Sequence, residues 1–246
     1  MPSSTVEDYL KCIYHEQHQH GHERVSTGSI ATALGVTPGT ATAMIKTLHE
    51  SGLILYEPYN GVQLTPEGHR LATHVLRRHR VLELFLVQVM GMDWTDVHKE
   101  AEVLEHAVSD RLLERMYEML GEPAVDPHGD PIPDAGGEVH HKSYPTLLEC
   151  ELKVPLRLVR VTDQGVDFLR LLKGHGLRPG EELQVAARRE EADSVELSTC
   201  SDTFSLGFRA ASKILVEATV LSRQSTVTRS PASGSGESGF PAQSQT

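Results

Sequence analysis

The sequence predicts a mainly α-helical N-terminal part, a winged helix-turn-helix plus a helical dimerisation region, followed by a small β-barrel. Three observations carry this. Residues 1–65 pack three helical periods, a small-residue turn, a Thr-Pro helix start and an Asn-Gly hairpin signal into a short stretch. Residues 65–120 hold two long apolar stripes at helical spacing. Beyond about Leu147 the pattern changes to short β-like runs.

Taken in order, residues 4–20 set Val6, Leu10, Ile13 and Tyr14 at helical spacing with Tyr9 alongside, and Ser4 or Thr5 is the candidate cap. Thr27 to Leu34 forms a short helix that Gly35 ends. Thr37-Pro38 opens a third helix, with proline in the first turn where its missing N–H costs nothing, and this helix runs to about Glu50. Leu53–Pro58 and Val62–Thr65 are the two strands of the wing, joined through Tyr59-Asn60-Gly61. One long helix is expected from about Thr65 to Met90 and a second, continuous one from about Thr95 to Leu120. Their apolar surface exceeds what one winged domain covers, so a homodimer is expected to bury the rest. Residues 121–146 are dense in Pro, Gly and Asp and read as a linker. The runs LRLVRVT, EELQVAA, SVELST and ILVEATV supply strands, with a helical insert at Gly165–His175. From Arg223 the composition is that of a disordered tail.

The chain has 246 residues and a formal net charge of −11. Residues 1–80 are neutral, with 7 Lys+Arg against 7 Asp+Glu, so all the excess negative charge lies beyond them. A chain this acidic is expected to bind nucleic acid only locally, through its N-terminal part and with help from a cationic cofactor. No run approaches the ~20 apolar residues of a membrane span. The N-terminus lacks the basic and apolar regions of a signal peptide, and three widely separated cysteines fit the cytoplasm.

The chemistry gathers on the two long helical runs. His98, Glu102, Glu105 and His106 lie at spacings of three and four. The preceding run carries His79 and Glu83, four apart, and Asp8 stands near the start of the first helix. Crowded carboxylates repel, and a divalent ion removes that cost while using imidazoles as neutral ligands. The pattern favours two sites, a primary one from Asp8, Glu102, Glu105 and His106 and a second from His79, Glu83 and His98. Oxygen-rich ligands without thiolate suit Mn(II) and tolerate Fe(II) or Co(II), although Zn(II) gains from raw affinity. The competing reading is a plain ion-pair network, since Arg77, Arg78 and Arg80 flank His79.

The stretches VEDYLKCIY, LGVTPGTATAMIKTLHESGLI, LTPEGHRLATHVLRRHRVLELFL, VHKEAEVLEHAVSD and GDPIP resemble the iron- and manganese-dependent repressors related to the diphtheria toxin repressor. Within that family they look closest to manganese transport regulators that carry an additional C-terminal domain. LRLVRVTDQGVDFLRLLKGHGLRPGEELQV resembles the SH3-like domain that many of these repressors share with a ferrous-iron transport accessory protein. The resemblance implies a division into a winged domain (1–72), a helical metal-binding and dimerisation domain (73–133), a linker (134–150), an SH3-like domain (151–221) and a tail (222–246). It implies a cytoplasmic, non-enzymatic repressor of metal-uptake genes that uses Mn(II), with Fe(II) as the alternative. The partner is double-stranded palindromic operator DNA, bound by one homodimer or by two dimers per operator.

Position by position, the resemblance matches the primary site to Asp8, Glu102, Glu105 and His106. It matches the ancillary site to His79, Glu83 and His98, completed from the SH3-like domain by Asp163 with Gln164 beside it. Asp8 and Glu102 are manganese-type choices where iron-type members carry methionine and cysteine. The chain departs from the short manganese regulators at Lys11, where they carry a glutamate; a protonated lysine cannot ligate, so one primary and one more distant ancillary ion are expected. Cys12, one turn after Asp8, is either a further donor or a small buried thiol.

The helix from Thr37 to Glu50 is the one expected in the major groove, with Thr37, Pro38, Gly39, Thr40, Thr42 and Lys46 as contacts and Asn60 on the wing. None makes a bidentate Arg–guanine contact, so modest base readout supplemented by DNA shape is expected. Two other readings compete. One is a winged-helix regulator with structural zinc sites that binds DNA whatever the metal level. The other is a metal-dependent phosphodiester hydrolase.

Overall fold

Local capping chemistry fixes the starts of the second and third helices. In this computed structural model, which describes residues 3–20, 23–200 and 202–219, α1 spans Ser4–His20, α2 Thr27–Ala33 and α3 Pro38–Glu50. Ser26 caps α2 by accepting a hydrogen bond from Ser29 N at 3.0 Å, and Thr37 caps α3 by accepting from Thr40 N at 3.2 Å. The wing pairs β1 (Ile54–Glu57) with β2 (Gly61–Leu64) in antiparallel register, Ile54 opposite Leu64 and Glu57 opposite Gly61. Val25 bridges to Val62 on the far side of β2. This bridge brings backbone so close that a Cβ on Gly61 (φ +100°) would stand 2.7 Å from Val25 O. Tyr9, Leu10, Ile13, Ile30, Ile45, Leu48, Ile54 and Val62 form the common core.

The Thr-Pro start recurs at α4 (Pro66–Gln88), where Thr65 accepts from Gly68 N at 3.1 Å. The second long helix is not continuous. It divides into α5 (His98–Leu104) and α6 (Asp110–Met119), separated by a turn over residues 105–109. Ser109 takes an extended backbone and accepts from Leu112 N at 3.3 Å, so it restarts the chain as an N-cap rather than propagating the first helix. Val81, Leu82, Leu86, Val97, Ala101 and Leu113 make the core between α4, α5 and α6.

The Pro/Gly-rich stretch after α6 is packed rather than a solvated linker over residues 126–132. Asp126, His128, Asp130 and Ile132 are buried. Asp126 Oδ1 accepts from the backbone N of His128 (2.8 Å) and Asp130 (2.9 Å), which satisfies a tight turn internally. His128 O accepts from Val161 N at 2.9 Å, so this turn is also docked onto the C-terminal domain.

That domain contains β3 (Leu156–Val161), α7 (Val166–Gly174), β4 (Glu182–Arg189), β5 (Ser194–Ser198), β6 (Thr203–Gly207), α8 (Phe208–Ala211) and β7 (Ile214–Ala218). The expected barrel is a five-stranded antiparallel sheet in the order β6-β5-β4-β3-β7, with β6 and β7 at its edges. Register shifts at Leu158/Arg160 and Val185/Ala187 bend the sheet around Leu158, Leu169, Leu172, Val185, Leu197 and Val216 without pairing its edges. Strand β6 was not among the expected runs. The tail expected from 222 onward lies outside the described residues. Among the described residues no helix is long and apolar enough to cross a membrane.

Candidate metal centre

Helix α1 and the turn after α5 meet at the first acidic cluster. Asp8, Glu105 and His106 each offer one ligand atom, and these atoms lie within 4.8 Å of one another. His106 Nε2 stands 3.0 Å from Asp8 Oδ1 and 3.6 Å from Glu105 Oε1. Its other ring nitrogen, Nδ1, lies 2.7 Å from the carboxylate of Glu7, a residue the sequence reading missed. An Nδ1 proton given to Glu7 leaves the Nε2 lone pair facing Asp8, the usual way a carboxylate orients a ligating imidazole. Glu102 stands apart from this group. Its side chain is 52% exposed and its Oε1 is 3.4 Å from His98 Nε2, although it shares with Asp8, Lys11, Cys12 and His106 the wall of a cavity of about 740 Å³.

The second cluster lies between α4 and α5. His79 Nε2 is 3.0 Å from both Glu83 Oε1 and His98 Nδ1, and His98 Nδ1 is 3.0 Å from the same Glu83 oxygen. Glu105 joins the two clusters, since its Oε2 accepts from His79 Nδ1 at 2.5 Å. Burial alone would lower the His79 pKa, but the facing Glu83 and the bond to Glu105 carry it up to about 9. Burial likewise raises the Glu83 carboxyl, and the His79 charge overcomes it and holds Glu83 well below the usual carboxylate range.

A third cluster, absent from the sequence reading, shares Glu83. Glu83, Asp126 and His128 are all buried, with ligand atoms within 4.8 Å. Glu83 Oε2, Asp126 Oδ2 and His128 Nδ1 each lack a partner at hydrogen-bond distance; their nearest charged contacts are longer, 3.7 Å between His128 Nδ1 and Glu83 Oε2 and 3.8 Å from Arg80 Nε to Asp126 Oδ2. Buried polar atoms held only by such long contacts are costly, and a cation would satisfy all three at once. Burial, then the charges of Asp130 and Glu83, push the Asp126 carboxyl up to about 7. His128 is fixed from its far side by Nε2, 3.0 Å from Trp94 O.

The other candidates are engaged elsewhere. Asp163 pairs with Lys213 and accepts from Gly165 N at 2.8 Å, and Gln164 donates to Asp130 Oδ2 at 2.7 Å. Neither belongs to the His79–Glu83–His98 group. Burial, with nearby Glu16, pushes the Cys12 thiol up to about 11, so it is a neutral packing group and not a thiolate at neutral pH.

On the winged domain, Thr37, Pro38, Gly39, Thr40, Lys46 and Asn60 are exposed and Thr42 is half-buried. Several hydroxyls have local duties: Thr37 and Thr40 Oγ1 lie 2.9 Å apart, and Thr42 Oγ1 donates to Pro38 O at 2.8 Å. Asn60 Nδ2 donates to Glu57 at 2.7 Å, which steadies the wing tip.

Comparison with known proteins follows the same division. Residues 1–62 match the iron-dependent repressor N-terminal DNA-binding domain, residues 65–134 the iron-dependent repressor metal-binding and dimerisation domain, and residues 146–218 the FeoA domain. A manganese-dependent transcriptional repressor solved in complex with manganese is 40% identical, with a TM-score of 0.78, and the match covers 87% of this chain and all of that one. The chain belongs to the iron-dependent repressor family. It is thereby a metal-responsive, DNA-binding transcriptional repressor of a family that dimerises. The repressor ScaR with bound Cd(II) is 33% identical with a TM-score of 0.72, over 89% of this chain and all of that one. The transcriptional regulator MntR of Shouchella clausii (strain KSM-K16) is 36% identical over 120 residues, 49% of this chain and 82% of that protein.

Proposed function

We propose that this chain is a Mn(II)-dependent repressor of metal-uptake genes, a regulator and not an enzyme, in which the metal ties α1 to the dimerisation helices. The observation that carries the reading is the convergence of Asp8, from the DNA-binding end, with Glu105 and His106 within 4.8 Å. Two hard carboxylates and an imidazole without thiolate suit Mn(II), with Fe(II) as the alternative. The manganese-dependent relatives support the same metal.

The proposed primary set is Asp8, Glu105 and His106, with Glu102 on the wall of the same cavity as its fourth member. The proposed ancillary set is His79, Glu83 and His98, extended through Glu83 to Asp126 and His128. Asp163 is the carboxylate that the SH3-like domain offers it, at the cost of its pair with Lys213. A bound divalent cation supplies the positive charge that lets these carboxylates share one small volume.

The chain does the rest. Asp8 and Glu7 lie on α1, whose Leu10, Ile13 and Tyr14 are built into the core that carries α3. Fixing Asp8 against Glu105 and His106 therefore fixes the recognition helix against the dimerisation region. In a twofold dimer this selects a spacing at which both α3 helices meet successive major-groove faces of a palindromic operator, ~34–36 Å apart. Thr37, Pro38, Gly39, Thr40 and Thr42 then face the groove, with Lys46 and Asn60 toward backbone phosphate. One or two dimers occupy each operator. We take the domain limits as 1–72, 73–133 and 151–221, with 134–150 joining them, in a cytoplasmic protein.

The test is binding of metal-free dimer to candidate operator DNA, titrated with Mn(II), anaerobic Fe(II) and Zn(II) at fixed ionic strength, with Asp8→Asn alongside. Mn-dependent binding lost in the variant is the expected result; equal binding after complete chelation would overturn the reading. Coupling is reciprocal, so operator DNA must also tighten metal binding.

A further inference from the structure

Lys11 stands one turn of α1 after Asp8, on the same side of the helix. Its ammonium Nζ lies 2.5 Å from Glu105 Oε1, with the lysine side chain 13% exposed and the glutamate fully buried. That same oxygen is the one 3.6 Å from His106 Nε2, which in turn is 3.0 Å from Asp8 Oδ1. Lys11 therefore occupies the oxygen of Glu105 that faces the proposed primary site, while the other oxygen is bound to His79. An ammonium and a divalent cation cannot share one carboxylate oxygen without strong like-charge repulsion.

We propose that Lys11 is a built-in competitor for the metal. In the metal-free chain it neutralises Glu105 and ties α1 to the turn after α5, and a divalent cation binds only by displacing its ammonium from Glu105 Oε1. Lys11 thus sets the metal concentration at which the repressor switches, keeping the primary site weaker than its ligands alone would make it. The inference rests on the metal-site reading above. It goes beyond that reading by assigning Lys11 two effects of opposite sign, support of the metal-free fold and opposition to metal.

The experiment measures Lys11→Gln, Lys11→Arg and Asp8→Asn, as full-length protein without DNA, by two readouts. One is the melting temperature of the chelated protein. The other is Mn(II) affinity, from the electron paramagnetic resonance signal of free Mn(II). Lys11→Gln is expected to melt lower without metal yet bind Mn(II) about tenfold or more tightly, the size expected for removing one charge-assisted competitor. Lys11→Arg is expected to retain wild-type melting and weak affinity. If the glutamine variant does not fold, Lys11→Met, which keeps the aliphatic stem, replaces it. Should that protein not fold either without metal, excess Mn(II) is expected to fold it by taking the place of the missing ammonium on Glu105, and failure to fold with Mn(II) present overturns the proposal. Unchanged or weaker Mn(II) affinity in Lys11→Gln or Lys11→Met overturns the proposal, because a structural or charge-balancing lysine gives that result. If Asp8→Asn binds Mn(II) as the wild type does, the metal-site reading itself fails. If only Asp8→Asn loses binding, the site stands and the competitor does not.

Discussion

Glu105 Oε2 lies 2.5 Å from His79 Nδ1, so a buried carboxylate of the first candidate cluster is bound to a histidine of the second. Its other oxygen faces His106 and holds Lys11. The two clusters are therefore one electrostatic unit, and occupation of one changes the charge that the other meets.

Glu105→Gln tests that unity. The amide keeps the volume but removes the charge shared by His79, Lys11 and His106. Breaking one partner out of a buried charged pair costs about 3–5 kcal/mol, and loss of a ligand's support weakens metal by about 10–100-fold. Mn(II) titration by calorimetry is expected to show both binding steps weakened. If the second step is unchanged while the first is lost, the clusters are independent.

The pH dependence follows from His79, whose pKa the facing Glu83 and the bond to Glu105 carry up to about 9 in the folded chain, against burial and from 6.5 ordinarily. A raised folded pKa means stability that is complete below about 6.5 and is lost as pH rises through about 9. Chelated protein is thus expected to unfold more easily at pH 9.5 than at pH 6. Metal binding is expected to show the opposite trend, because His79 as a proposed ligand must first lose its proton. Mn(II) affinity is expected to rise with pH up to about 9. At pH 7 proton release is expected in calorimetry across buffers of different ionisation heat, and no release would contradict the assignment of His79.

How far the sequence revealed this arrangement depends on the range of the forces involved. The winged domain was legible because its starts and stops are local, with Thr37-Pro38 and Thr65-Pro66 capping helices within three residues. The break after α5 was hidden because the apolar stripe of Val97, Ala101 and Leu104 continues at helical spacing into Val108 and Leu112, and only Ser109 marks the restart. The gathering of Asp8, Glu105 and His106, and of His79, Glu83 and His98, was legible by type and by resemblance, yet their other partners were not. Glu7 meets His106 across 99 positions, and Asp126 and His128 sit in a Pro/Gly-rich turn whose composition reads as solvated. Only docking against α4 and β3 buries them.

At the proposed DNA face, Thr37 and Lys46 separate stability from contact. Thr37→Ala removes the cap that holds Thr40 N, and is expected to cost about 1 kcal/mol of folding stability in chemical denaturation. Lys46 is exposed, without an ion partner among the described residues. Lys46→Ala is expected to leave stability unchanged, weaken binding about equally across sequences and reduce the salt slope by about 1. Sequence-selective loss for Lys46→Ala would move it from backbone contact to base readout.

The turn that carries Asp126 and His128 depends on Gly129. Its φ is +86°, and a Cβ there would stand 2.0 Å from Val159 O and 2.7 Å from Arg160 Cα, both backbone atoms of β3. No side-chain rotation relieves that overlap, so Gly129→Ala must push the turn off the strand. Overpacking of this kind costs about 1–3 kcal/mol, with the left-handed φ adding to it. The same displacement breaks the Val161 N to His128 O bond and moves Arg160 and Gln164 from Asp130. Gly129→Ala is therefore expected to weaken the cluster of Glu83, Asp126 and His128 while sparing that of Asp8, Glu105 and His106. One Mn(II) equivalent should survive with near wild-type affinity and the other should weaken. Measured stoichiometry and affinities in the folded variant decide this: equal weakening of both steps would mean that the disturbance passes from Glu83 through His79 and Glu105 to the first cluster.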